Sequence, residues 1–372
     1  MATQHLHFNY RKEWSYPVDI VAGIDAISEM GEALDKLGLK RAMVLCGPGT
    51  SRSGIVERIQ AALGERFVGV YSGVGFNGPG GQHIPEDILG EAAALARDWK
   101  PDVLLALGGG RAGSTSKALT AALADGGAMP VITVPTTISC AEISATAGRC
   151  ANSPSLRAFL IVDGKALATT PVRILHSTVF SQFRIAVECI CSKTHNPISD
   201  ALALHGIRQL MHCAPRLAER DPEVLVAAKL AGCLPSLARF HAVNSAGLST
   251  AVCHQAGGLY DIPHGEIHGI MLPHTMRFNL DATAEQQALI AEAMGIDTSG
   301  LSAEEAGLAA AEGVTALCKT LGLPTTLREV GVPREAAEAI ASATLSGESA
   351  IKTNPKPILG IGTIVKVLQA AW

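Results

Sequence analysis

Strand and helix alternate without interruption through the first half of the chain, and few folds accept that order. "AISEMGEALDKLGL" has helical periodicity and ends at a glycine, and "KRAMVLCGPG" follows as a short apolar run closed by Gly-Pro-Gly. "SGIVERIQAALG" is helical again, "RFVGVYSGV" is strand-like, and "PEDILGEAAALARDW" opens with proline at a first helical turn. "PDVLLALGGG", "AGSTSKALTAALA" and "MPVITVPTT" continue as strand, helix and strand. This order predicts a parallel sheet covered by helices. After "LIVDGKALATTP" the pattern stops. From residue 172 onward the chain holds long Ala- and Leu-rich helical stretches and almost no strand signal. The expectation is an α/β domain over 1–170 and an all-α domain over 171–372. A cleft between them is a common place for a ligand.

At 372 residues, both domains have ordinary size. Aromatic residues make up only 4%, which argues against a β-sandwich. Charged residues make up 17%, a deficit that a large core or an oligomer interface explains. The net charge of −4 comes from interspersed signs with no basic stripe, so no nucleic-acid partner is expected. No apolar run reads as long enough for a membrane span. "MATQHLHFNYRKEW" lacks the apolar core of a secretory signal. The nine cysteines are scattered, and Cys189 and Cys191 have neither zinc nor redox spacing. They read as reduced, buried thiols in a cytoplasmic protein. "GVGFNGPGGQHIP" reads as a loop after a strand.

"VLLALGGGRAGSTSKAL" is a strand, three glycines and a helix. Gly108, Gly109 and Gly110 would let the backbone approach a pyrophosphate, and free N–H groups at the helix start would donate to it. The motif is not GxGxxG, and a tight strand–helix turn is the plainer reading of the same residues. "VITVPTT" supports the phosphate site, because Thr136 and Thr137 end a strand where open α/β sheets bind ligands. One of the two equally suits a helix cap. The N-terminal domain is therefore expected to be Rossmann-like and dinucleotide-binding.

"TAVCHQAGGLYDIPHGEIHGIMLPH" gathers four histidines and a glutamate. Taken with "GGGRAGSTSKA", with "VPTT" followed by Glu142, with "NPISDALALHGIRQL" and with "TNPKP", it resembles the iron-containing (group III) alcohol dehydrogenase family nearly end to end. "QHIP", "PHGEIH" and the ending "AAW" are similar to its maleylacetate reductase branch. The resemblance implies NAD or NADP as cofactor, interconversion of carbonyl and alcohol, a small keto-acid substrate in that branch, and a homodimer.

The resemblance also implies where this chain departs. Metal-using members hold a divalent ion by Asp and His four apart on one helix, then a His, then the His of PHG. Here the first pair aligns to Ser181 and Ile185, the third ligand aligns to Thr250, and only His264 is kept. One imidazole does not hold Fe²⁺ or Zn²⁺, so no metal is expected. A different ion held by His264, His268 and Glu266 stays open. His254, His264 and His268 are expected to face the cleft. His254 would donate or relay a proton, while His264 and His268 would polarise the carbonyl or, protonated, bind the acid. Ser181, Thr250 and Asn354 are candidate substrate contacts. His274 reads as a core or helix-end residue.

At the cofactor end, Arg111 and Ser114 stand where the family carries Ser and Asp. Arg111 either strengthens phosphate binding or blocks the site. Gly47 replaces an acid that would select NAD, leaving NADP open. Lys117 either reaches the cofactor or is solvated. Glu142 reads as orienting a helix start through the dipole, Asp200 as a helix cap, and Asn354-Pro355 as a turn that also suits closing the cleft. The expected function is a metal-independent NAD(P)H-dependent keto-acid reductase. The alternatives are non-redox chemistry (lyase, isomerase or hydrolase) on a small acid, or a non-catalytic scaffold.

Overall fold

The computed structural model describes residues 18–75, 84–123, 129–143, 158–242, 245–347 and 349–372. Residues 1–17, residues 76–83 of the glycine-rich loop (with Gln82 and His83 of "QHIP"), and Cys150 lie outside the described residues. The α/β part runs β1 (Val18–Gly23), α1 (Met30–Leu37), β2 (Ala42–Leu45), α2 (Pro48–Ser51), α3 (Ile55–Leu63), β3 (Phe67–Tyr71), α4 (Glu86–Trp99), β4 (Val103–Gly108), α5 (Gly110–Ala122), β5 (Val131–Pro135) and β6 (Ala158–Asp163). The six strands form one all-parallel sheet in the order β1-β6-β5-β4-β2-β3.

Successive side chains of a strand point to opposite faces, and both faces are covered. Val44, Leu105 and Val134 pack on one face with Ile27, Met30, Leu34 and Ile59. Met43, Leu45 and Leu104 pack on the other with Ile88, Ala92 and Leu119. This explains why the strands read as continuous apolar runs. The chain moves outward from β2 to β3, then returns to place β4 on the other side of β2. The carboxyl ends of β2 and β4 therefore flank a switch point, where open parallel sheets take ligands. Gly47 follows one strand and the three glycines close the other.

The remainder is helical among the described residues: α6 (Gly164–Leu167), α7 (Val172–Ile190), α8 (Pro197–Cys213), α9 (Pro222–His241), α10 (Leu248–Tyr260), α11 (His264–Ala293), α12 (Ala303–Thr320), α13 (Ala337–Gly347) and α14 (Ile361–Ala370). The two parts share a core. Leu160 and Val162 of β6 pack into the same cluster as Phe180, Leu225 and Ala228 from the helices. Pro235 lies inside α9, and Gly206 of α8 lies against its ring, where an added Cβ would stand 2.8 Å from Cδ.

Three sequence expectations are corrected here. First, α9 is long and apolar enough to cross a membrane. It is instead a core helix, mostly buried within the protein, and it carries an ion-paired lysine. Lys229 and the charges near its ends do not break the apolar run, contrary to the expected absence of one. Second, Asp200 does not cap α8. Asn196 does, in a capping box with Ser199, while Asp200 accepts from His195 Nδ1 at 2.8 Å. Third, among the described residues Glu142 serves as the partner of a buried lysine, and the segment after residue 143 lies outside them. Glu142 lies in a turn and its Oε1 is 2.5 Å from Lys229 Nζ. The eight described cysteines are free and buried, as their scatter suggests.

Candidate active site

The cofactor end is built from backbone. Gly108 has φ 139°, a conformation L side chains rarely adopt, and this turns the chain from β4 into α5. A Cβ on Gly109 would stand 3.3 Å from Thr137 Cγ2, and one on Gly110 3.2 Å from Ala141 Cβ. The glycines thus line a narrow cradle with the Thr pair opposite. The Thr136 N–H donates to the Gly108 carbonyl at 3.0 Å, fixing the two segments side by side. No side chain caps α5, so its first N–H groups are left for an anion. A Cβ on Gly47 would stand 2.9 Å from the Val74 carbonyl. Arg111 and Ser114 are exposed on the first turns of α5, and Lys117 is half-buried one turn on. Desolvation lowers the Arg111 guanidinium, and the charge of Asp261 opposes this. Asp261 ends α10 in the left-handed conformation, so Arg111 faces the helical part near the histidines.

The histidines converge from two helices. His254 lies on α10, and His264 and His268 are four apart at the start of α11, on one face. The rings of His254 and His264 stack with centroids 5.7 Å apart. His264 and His268 meet edge to face, with their Nε2 atoms 3.0 Å apart. His268 is fully buried, and its Nδ1 has no hydrogen-bond partner. His264 keeps solvent access while protein surrounds its ring. Burial lowers both imidazoles, with the charge of Arg184 adding to it. Because water reaches His264, the effect there is smaller than at His268. Both shifts favour the neutral imidazole, most strongly at the fully buried His268. The Nε2 contact is then one imidazole N–H donating to the other.

This has a consequence for stability. An unfolded His takes up a proton near pH 6.5, whereas folded His268 does not until well below that. Stability is therefore full above about pH 6.5 and falls as pH drops, by about 1.4 kcal/mol per pH unit for each such group. The Tm should drop between pH 7.5 and 5.5, and His268→Gln should flatten that slope. An unchanged slope would mean that His268 is charged in the fold.

Glu266 is turned away from the histidines. Its carboxylate is buried and takes a fork from Arg173, with Nε at 2.7 Å and Nη2 at 3.0 Å. Among the described residues, no group of three or more His, Cys, Asp or Glu is placed to hold a metal ion. His274 is half-buried within α11, and burial pushes it down to about 4.

Ser181, Ile185 and Thr250 are buried beside this cluster. Thr250 is one turn before His254 on α10, and its hydroxyl lies 2.6 Å from both Arg184 Nη1 and Glu188 Oε2. Arg184 and Glu188 pair at 2.9 Å, four apart on α7, and both are almost fully buried. Burial works to raise Glu188, but Arg184 and the Thr250 hydroxyl and N–H outweigh it and hold the carboxylate low. Sequence reasoning misses Arg184, Glu188 and Arg239. The available signal is a charged pair at i, i+4 inside the apolar helix "FSQFRIAVECICSK". Asn354 is buried and uses its whole amide internally, accepting from Leu248 N–H and exchanging bonds with Asn279. It lines a small pocket with Glu188 and clamps α10 to α11.

Gly265 sets where these helices meet. A Cβ there would stand 1.8 Å from the Ser177 carbonyl of α7, so only glycine allows α11 to start this close. Gly265→Ala should cost about 1–3 kcal/mol or more and displace His264. Thermal melts and a turnover assay would check both.

The profile of iron-containing alcohol dehydrogenases matches residues 17–169, and that of the C-terminal part of the Fe-containing alcohol dehydrogenase family matches 178–372. The chain is 29% identical over 352 residues to maleylacetate reductase of Burkholderia cepacia, covering 91% of each. It is 29% identical to 1,3-propanediol dehydrogenase of Klebsiella pneumoniae, covering 83% of this chain and 86% of the other. The crystal structure of maleylacetate reductase from Agrobacterium tumefaciens superposes with a TM-score of 0.80 at 25% identity, covering 98% of this chain and 99% of that one. With matching profiles over both parts and a glycine cradle at the switch point, the chain belongs to the iron-containing alcohol dehydrogenase family and is an NAD(P)-dependent oxidoreductase.

Proposed function

We propose that the chain is a metal-independent, NAD(P)H-dependent reductase of a small keto-acid, close in chemistry to maleylacetate reductase. The observation that carries this reading is the donor set beside the histidines. Ile185 offers no lone pair, and the Thr250 hydroxyl is engaged by Arg184 and Glu188. His268 Nε2 faces His264, and the carboxylate of Glu266 belongs to Arg173. A buried guanidinium beside these groups would repel a divalent cation. The residues present do not fit the family's ion.

They do fit a dinucleotide. The backbone of Gly108, Gly109 and Gly110 and the uncapped start of α5 would hold the pyrophosphate, with Thr136 and Thr137 opposite and Arg111 at its edge. The reduced nicotinamide supplies the hydride. His254, half-buried at the cleft, delivers a proton to the carbonyl oxygen. The His264–His268 pair aligns that ring through the stack, and solvent returns the proton to the half-buried His254. Ser181 and Thr250 shape the wall behind. The low charged fraction and exposed apolar side chains such as Ile198, Leu259 and Leu359 fit a cytoplasmic homodimer.

The test is to strip and assay the protein for metals, titrate it with NADH and NADPH by nicotinamide fluorescence, and then supply maleylacetate with chelator present. Binding of at least one cofactor and undiminished reduction are expected. Turnover only after adding Fe²⁺ or Zn²⁺ would sink metal independence. Turnover without any dinucleotide would point to non-redox chemistry.

A further inference from the structure

The charges around Arg184 do not balance. Arg184 and Glu188 form one buried ion pair, with side chains 5% and 9% exposed. Arg239 of α9 is half-buried close enough that the charges of Arg184 and Glu188 both act on it, and it makes no ion pair with a described carboxylate. Two guanidinium groups thus share one carboxylate. The three nearest imidazoles add no negative charge. Burying unpaired positive charge is costly unless an anion completes the set. In addition, Arg184 Nε is buried and has no hydrogen-bond partner. A guanidinium with a free N–H beside an engaged Nη1 is an incomplete fork, and a planar carboxylate matches forks of this kind.

The location connects this charge to the chemistry. Arg184 Nη1 touches Thr250, and Thr250 is one helical turn from His254. His254 stacks on His264, which contacts His268. Arg184 itself adjoins Ile185, where the family's ion would have had a ligand.

We propose that Arg184, supported by Arg239, forms a carboxylate subsite that holds the acid group of the substrate beside the three histidines. The inference rests on the keto-acid reading above and adds a residue to it. Arg184 supplies as a fixed side chain the positive charge that other members take from an ion. Specificity for an acid over a neutral carbonyl compound then follows from the second guanidinium charge, which Glu188 alone leaves uncompensated. Glu188 and Thr250 are positioning residues that hold the guanidinium in place.

The probe is maleate, a dicarboxylate with no reducible carbonyl, measured by calorimetry on the cofactor-loaded protein. Removing Arg184 alone would strand Glu188 as a buried unpaired carboxylate and could unfold the chain. The informative variant is therefore Arg184→Met with Glu188→Gln, with Arg184→Lys beside it. Thermal melts and nicotinamide fluorescence titrations verify folding and the cofactor end. Wild type should bind maleate. The double variant should bind it about 10- to 100-fold more weakly, the loss expected for one charged hydrogen-bonded contact. Arg184→Lys should fall between, because it keeps charge without the fork. In turnover, the double variant should raise KM for the keto-acid while leaving KM for a neutral aldehyde unchanged. Equal maleate affinity in wild type and double variant, with keto-acid reduction intact in wild type, would reduce Arg184 to a structural ion pair and overturn the subsite alone. Wild type that binds dinucleotide but neither binds maleate nor reduces keto-acids would overturn the reductase reading and the subsite together.

Discussion

Replacing Lys229 with methionine is expected to destabilise the protein by about 3–5 kcal/mol. Lys229 has no exposed side-chain surface, and Glu142 is only 5% exposed. The ammonium donates to Glu142 Oε1 and to the carbonyl of Ser139. Methionine keeps the stem's packing but leaves a carboxylate in a dry interior with no counter-charge. The carboxylate must then take up a proton or draw in water, and the fold bears that cost. Urea unfolding measures it. Lys229→Met with Glu142→Gln should recover most of the loss, because no stranded charge remains. A single-variant cost below about 1 kcal/mol, the range of exposed pairs, would mean that water already reaches Glu142. The pair also ties α9 to the segment that follows Thr136 and Thr137. The single variant should therefore weaken dinucleotide binding as well, seen as a right-shifted fluorescence titration.

The second large effect is on turnover. His254→Ala is expected to lower kcat for keto-acid reduction by about 10²–10⁴-fold, the usual worth of a positioned general acid. Dinucleotide binding should be unchanged, because His254 belongs to α10, whereas the glycine cradle is backbone of β4 and α5. The stacked contact with His264 argues that the ring's orientation is set. His264→Ala should also be severe, since it removes both the stack and the N–N contact to His268. His268→Ala should be milder in kcat, because that ring is buried behind His264 and meets no solvent. Steady-state kinetics on the three variants would rank them. A kcat for His254→Ala within about threefold of wild type would place the proton donor elsewhere.

Much of this molecule is legible in the order of its residues. The alternation of short apolar runs with helical periodicity specifies a parallel sheet, because strands buried on both faces cannot alternate polar and apolar residues. The glycines after β4 mark the cradle, since a turn at φ 139° and a 3.3 Å approach to Thr137 tolerate little else. "PHGEIH" marks two imidazoles on one helical face. Local patterns of this kind depend only on neighbours in sequence, so they survive in one dimension.

Partners far apart in the chain are not legible in this way. Glu142 reads as a helix-dipole residue, but its partner is 87 residues away. Glu266 sits two residues from His264 and His268, yet its carboxylate belongs to Arg173, 93 residues earlier. Asn354 reads as a turn residue, and only packing makes it the clamp between α10 and α11. Arg184 and Glu188 show in the sequence only as a charged i, i+4 pair, because a charge's meaning depends on which buried groups share its low-dielectric surroundings.

The residue order alone specifies the two-part architecture, the glycines that close β4, the family, and the uncharged side chains Ser181, Ile185 and Thr250. What stands in that place is settled by packing: a guanidinium–carboxylate pair bound to Thr250, with neutral imidazoles above it. Backbone periodicity and glycine sterics act over a few residues and are written locally. Pairing and desolvation of charge act through space and are set only when the helices are packed.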